Sequence, residues 1–131
     1  MKLLVDSDFL FGLFVPHDPH HKRSNTIYQK VKNDNGTLYC LGHVLQEVGT
    51  VLSHKVDMDD VRRFYNEYPN LDLIKIHLEE ALENAAWELF LKQTKKGCSF
   101  VDCANLAVIE KYGLDGILSF DTFYPHAIRK T

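Results

Sequence analysis

Lys2-Leu3-Leu4-Val5 runs directly into Asp6-Ser7-Asp8. Four mostly apolar residues that stop at a pair of acids read as a short buried strand of a parallel sheet. The apolar stretch Phe9–Phe14 behind them reads as the helix that leaves that strand. In an open parallel sheet, ligands bind at the carboxyl ends of the strands. A carboxylate there suits a metal ion or a phosphate, so fold and chemistry both turn on what else reaches the same edge.

The rest of the chain repeats the strand-then-helix pattern. Val15-Pro16-His17-Asp18-Pro19 is a turn, with Asp18 as a helix N-cap and Pro19 at the first helical position. A mostly polar helix runs from about His20 to Asn33, and Leu38–Leu41 forms a second strand. Val44, Leu45, Val48, Val51 and Leu52 line one face of a helix over His43–His54. A further helix opens at the acidic run Asp57–Asp60, which reads as capping and dipole complementarity, and stops at Pro69-Asn70. Leu71–Ile76 alternates with period two, as a half-exposed edge strand would. A long amphipathic helix from Leu78 to Phe90 follows, closed by Lys95-Lys96-Gly97. Phe100–Tyr112 is apolar over most of its surface and reads as a buried central helix. Gly116–Ser119 is the last clear strand, followed by Asp121 and an aromatic turn, Phe123-Tyr124-Pro125. This alternation implies an α/β fold, with a parallel sheet of four or five strands between helical layers, in a single domain over residues 1–131.

Composition narrows the function. At 131 residues with 45% hydrophobic content, the chain can bury a core without disulfides or a structural metal. Nothing approaches the roughly 20 apolar residues of a membrane span, and no signal peptide is expected. Cys40, Cys98 and Cys103 lack zinc-ligand spacing and read as reduced cytoplasmic thiols. The net charge of −3 argues against a basic nucleic-acid platform. It does not argue against a nuclease, in which acids lower the net charge while local Lys and Arg hold phosphates.

Four acids fall at equivalent places: Asp6 after the first strand, Glu47 early in the helix after the second, Asp102 at the start of the buried helix and Asp121 after the last strand. Each has a plainer explanation. Asp6 can cap its helix, Glu47 can be a solvated helix position, Ser99 and Asp102 fit a capping box, and Asp121 can cap the closing turn. Taken together, in apolar surroundings, they describe a pocket of mutually repelling carboxylates, relieved by protonation or a divalent cation. With only oxygen donors and no Cys or His set, Mg²⁺ or Mn²⁺ is the expected ion.

The N-terminal strand ending in Asp6-Ser7, the helix bearing Glu47, Ser99-Phe-Val-Asp-Cys-Ala-Asn-Leu-Ala and Ser119-Phe-Asp-Thr-Phe together resemble a PIN domain, over nearly the whole chain. Many members are VapC-type toxins of toxin–antitoxin pairs. The resemblance implies a three-layer α-β-α fold and a metal-dependent endoribonuclease, with Asp6, Glu47, Asp102 and Asp121 as the acidic cluster. Ser7 and Ser119 match the small hydroxyls near these acids. Asp8 and Asn105 are departures, either supports of the site or a helix-start charge and a tolerated polar residue. His20-His21 reads as a solvated helix start. The room left after Arg129 is short for the last strand of that fold. The resemblance further implies a homodimer and an antitoxin partner, which the apolar run Phe9–Val15 could receive; core packing is the simpler reading of that run.

In the implied mechanism Asp6 and Asp102 are direct ligands and Glu47 a ligand or water-positioning base. Asp121 completes a second metal site or the outer shell, and Ser119 orients Asp121 or a water. Lys95 and Lys96 could contact substrate phosphates, although a solvated helix end is the simpler reading, and Arg62 and Arg63 are weaker candidates. Two rivals remain. Asp6-x-Asp8 also resembles the start of a haloacid-dehalogenase-like phosphatase with Asp6 as nucleophile, which leaves Glu47 without a role. A catalytically silent PIN-like binding module would have little reason to keep four acids. With few base-stacking groups evident, selectivity is expected to come from RNA shape and a local cleft.

Overall fold

A computed structural model describes the whole chain, Met1–Thr131. Its elements are β1 (Lys2–Val5), α1 (Ser7–Phe14), α2 (His21–Asn33), β2 (Thr37–Leu41), α3 (Gly42–Lys55), α4 (Met58–Glu67), β3 (Ile74–Ile76), α5 (Glu80–Leu91), α6 (Phe100–Tyr112) and β4 (Gly116–Leu118). The four strands form one parallel sheet in the order β3-β2-β1-β4. The N-terminal strand is therefore central. Leu3, Leu4 and Val5 are almost wholly buried and anchor a single continuous core. Helix α1 packs on both α2 and α3, and α3 on α4, as one group, while α5 packs on α6 as the other. These are the two outer layers of the expected sandwich.

Where boundaries differ from the sequence reading, the cause is local. Helix α1 begins at Ser7, because Asp6 is its N-cap: the Asp6 carboxylate accepts from the Ser7 amide at 2.9 Å. Helix α2 begins at His21 and has no side-chain cap. The expected cap, Asp18, instead closes the preceding turn by accepting from the His20 amide at 2.9 Å. The acidic run before α4 behaves as anticipated, with Asp57 capping through the Asp60 amide at 2.8 Å. The edge strand is shorter than the alternation over Leu71–Ile76 suggests. Tyr68–Leu71 forms a 3₁₀ turn and Asp72 takes a left-handed conformation at φ 55°, so pairing begins only at Ile74. A polar–apolar alternation cannot register that break, because Asp tolerates αL. Helix α5 likewise starts at Glu80 rather than Leu78.

Beyond β4 the chain returns to the sheet. The Ile117 amide donates to Ile128 O at 2.8 Å and the Lys130 amide to Ile117 O at 2.9 Å, giving an isolated parallel bridge between Ile117 and Arg129. The last edge is present as this bridge and does not extend into a strand. No helix is long and apolar enough to cross a membrane. All three cysteines are free, with Cys40 and Cys103 buried.

Candidate active site

The central strand delivers Asp6 to the carboxyl edge of the sheet. Its amide donates to Leu118 O at 3.0 Å, which ties it to β4. Its side chain is 5% exposed. Oδ2 accepts from the Ser119 hydroxyl at 2.8 Å, and Oδ1 accepts from Asn105 Nδ2 at 3.3 Å. Burial, reinforced by the neighbouring carboxylates of Asp8 and Asp102, pushes Asp6 up to about 7 despite the bonds from Ser119 and Ser7. A charged carboxylate is poorly solvated in such a place, and like charges make it worse.

Asp8, in the first turn of α1, faces the same junction. Its Oδ2 accepts from the Phe120 amide at 2.9 Å, with the Ser119 hydroxyl 3.5 Å away. Its Oδ1 is buried with no partner. Burial raises Asp8 as well, with the charge of Asp121 adding to it.

Asp102 enters from α6. It serves the expected capping box with Ser99, the two side-chain-to-backbone bonds both 3.0 Å. That bond engages Oδ2 only. Oδ1 accepts from the Tyr124 hydroxyl at 3.1 Å, and Tyr124 in turn accepts from Asn105 Nδ2 at 3.0 Å. A continuous chain of hydrogen bonds thus links Asp102, Tyr124, Asn105, Asp6 and Ser119. Tyr124 and Asn105 are buried, and burial next to Asp6 holds the Tyr124 hydroxyl above the usual phenol range. Asn105 Oδ1 is left without a partner.

The remaining candidates are placed differently. Asp121 is exposed. Its amide donates to the Ser119 hydroxyl at 3.1 Å, and its carboxylate accepts from the Phe123 amide at 2.9 Å, capping the closing turn. Ser119 therefore orients Asp6 through its side chain and meets Asp121 only through the backbone, a correction to the expected pairing. Glu47 is exposed on α3. Ser7 contributes its amide to Asp6. No three His, Cys, Asp or Glu side chains are drawn together at one point; Asp6, Asp8 and Asp102 are joined through Ser119, Asn105 and Tyr124.

Two clefts flank the acids. One, about 530 Å³, is lined by Lys95, Lys96, Asp102 and Asp121. The other, about 220 Å³, lies between Ser7 and Asp8 on one side and α3 on the other. Arg62 and Arg63 serve α4 itself. They pair with Asp59, Asp60 and Glu67, and Arg63 also donates to Phe14 O at 2.6 Å. The run Phe9–Val15 is mostly core, with only Phe11 and Leu13 half-buried.

A model of the PIN domain matches residues 3–127. The chain belongs to the PIN domain family. That assignment sets aside the haloacid-dehalogenase-like reading of Asp6. Among solved structures this PIN domain is similar to Mycobacterium tuberculosis VapC20, a sarcin-ricin loop cleaving toxin. The TM-score is 0.78 at 22% identity, over 91% of this chain and 89% of that one. At that identity the likeness speaks for the fold. No curated protein sequence matches this PIN domain significantly.

The sequence reading missed Tyr124, the link between Asp102 and Asn105. It stood in an aromatic turn that reads as packing. The available signal was the polar Asn105 on an otherwise apolar helix, since a buried amide needs a partner.

Proposed function

We propose that this PIN domain is a Mg²⁺- or Mn²⁺-dependent endoribonuclease, VapC-like, that hydrolyses RNA phosphodiester bonds at Asp6, Glu47, Asp102 and Asp121. The observation that carries the reading is the buried Asp6 carboxylate, pushed up to about 7 by burial and by its acidic neighbours. Such crowding is relieved by a divalent cation. Two further features support a hard cation: the donors are all oxygen, and the buried oxygens Asp8 Oδ1 and Asn105 Oδ1 lack partners.

Asp6 and Asp102 would hold the ion, Asp121, which lines the larger cleft, would complete the shell, and Glu47 would reach it from α3. When bound, such an ion supplies charge neutralisation at the phosphoryl oxygens and a more acidic water. The chain's own contribution is positional. Ser119 and Asn105 fix the two oxygens of Asp6, and Tyr124 fixes Asp102. Glu47, being solvated, is suited to accept a proton from the attacking water. Lys95 and Lys96 line the cleft that Asp102 and Asp121 share, where they would meet substrate phosphates. A VapC-like toxin would also have an antitoxin partner, and the half-buried Phe11 and Leu13 are the part of Phe9–Val15 left to receive it.

The test is cleavage of structured and single-stranded RNA by wild type and Glu47→Gln, in Mg²⁺, in Mn²⁺ and in EDTA. Cleavage that requires the ion and falls at least about 100-fold in the variant, the usual scale for a general base, supports the assignment. Equal rates in EDTA, or an unaltered Glu47→Gln, would refute it. RNA binding without cleavage under every condition would instead mark a silent module.

A further inference from the structure

The smaller cleft, about 220 Å³ between α1 and α3, is lined by none of the four acids proposed to carry the chemistry. It opens beside Asp6, since Ser7 and Asp8 form its near wall. Val48, Val51 and Lys55 of α3 form the far wall. Glu47, Val51 and Lys55 recur at helical spacing, so Glu47 shares that face.

The end of the cleft is His20, and it is not a free-standing side chain. Its ring lies flat on Phe120, with centroids 3.9 Å apart and planes 6° apart. Phe120 stacks in turn on Phe9 at 5.9 Å and 21°. Phe9 is fully buried and His20 is exposed. The stack is anchored in the core at one end and finishes in an exposed imidazole at the other. The Phe120 amide also holds Asp8 at 2.9 Å, so this platform is fixed relative to the acids.

The lining selects what can enter. The volume is below the roughly 300–1,000 Å³ of pockets for drug-sized ligands and suits one flat ring. The imidazole and the two valines suit the faces of such a ring. Asp18 gives one carboxylate oxygen to the His20 amide and keeps the other free. That free oxygen gives the cleft an acceptor for an amino group. The one cation, Lys55, has no ion-pair partner and is free for the backbone of an entering strand.

We infer that this cleft seats one nucleobase of the RNA beside the scissile phosphate, stacked on His20, with a base bearing an exocyclic amino group preferred over uracil. Single-stranded bases are held in this way, by stacking on aromatic or His rings and by hydrogen bonds to their edges, and carboxylates accept from the cytosine amino group. The inference rests on the ribonuclease reading.

The experiment is anisotropy binding in EDTA, with RNAs carrying a single abasic residue at successive positions around the cleavage site. Wild type should lose about 10-fold in affinity at one position, the scale of one base–aromatic stack. His20→Ala should bind intact RNA more weakly by the same factor and ignore that abasic position, whereas His20→Phe should behave as wild type. Asp18→Asn, which keeps the acceptor for the His20 amide, should erase the preference for cytosine over uracil there. Uniform sensitivity to abasic position, or unchanged binding by His20→Ala, would overturn the subsite and leave the ribonuclease reading standing. Failure of wild type to bind or cut any RNA would overturn that reading, and the subsite with it.

Discussion

At the residue scale the site is governed by the cost of a charge at Asp6. Its carboxyl is raised to about 7 in the fold against an unperturbed value near 3.9. The folded chain therefore holds a proton that the unfolded chain has released, and stability falls as pH rises through this window. Metal-free protein should lose up to about 4 kcal/mol between pH 4 and pH 8 from this group alone. Thermal melts across that range, in EDTA, should show wild type falling much more steeply than Asp6→Asn, in which the raised Asp8 leaves a residual slope; parallel curves would mean that Asp6 is not the buried charge. The hydroxyl of Tyr124 is the second such feature. Tyr124→Phe leaves Asn105 Nδ2 and Asp102 Oδ1 each short of a partner, and should cost about 1–3 kcal/mol together with weaker Mn²⁺ binding. Asp6 and Asp102 were legible from the sequence because acids directly after apolar runs are conspicuous. Tyr124 was not, because its partners lie 19 and 22 residues away and only folding brings them together.

At the element scale the α1–α2 hairpin carries Asp6, Asp8 and the His20 platform, so its packing sets their positions. The closest approach is at Gly12, where a Cβ would lie 2.6 Å from the buried Ser24 hydroxyl. That hydroxyl has no hydrogen-bond partner. Gly12→Ala should destabilise by about 1–3 kcal/mol through overpacking, while Ser24→Ala should be near neutral because it removes an unsatisfied polar group. The double variant should recover much of the loss. A double-mutant cycle by urea unfolding measures this, and strict additivity would mean that the two helices do not meet there. The buried strands were readable from the sequence, because fully buried parallel strands are short apolar runs. The start of α2 and the length of β3 were not. Asp18 and Asp72 each have a turn alternative to capping or extension, and sequence alone does not choose between them.

At the scale of the whole molecule, a chain of net charge −3 gathers Asp6, Asp8 and Asp102 at one sheet edge and keeps cations at the rims of the adjoining clefts, Lys95 and Lys96 on one side and Lys55 on the other. The sheet order, with the N-terminal strand at the centre, makes this possible, since the residues that follow β1 and β4 meet at that edge. Alternating strands and helices made that architecture visible in the sequence. The clefts were invisible there, because each is assembled from elements far apart in the chain. The most direct test of the account is titration of Mn²⁺ into metal-free wild type and Asp102→Asn at pH 7.5, followed by calorimetry, with RNA cleavage assayed on the same samples. Binding and cleavage in wild type, both lost in a variant that melts cooperatively, is the predicted result. If wild type binds no Mn²⁺, or if Asp102→Asn binds and cleaves as well as wild type, the carboxylates are structural and the metal-dependent nuclease account is wrong.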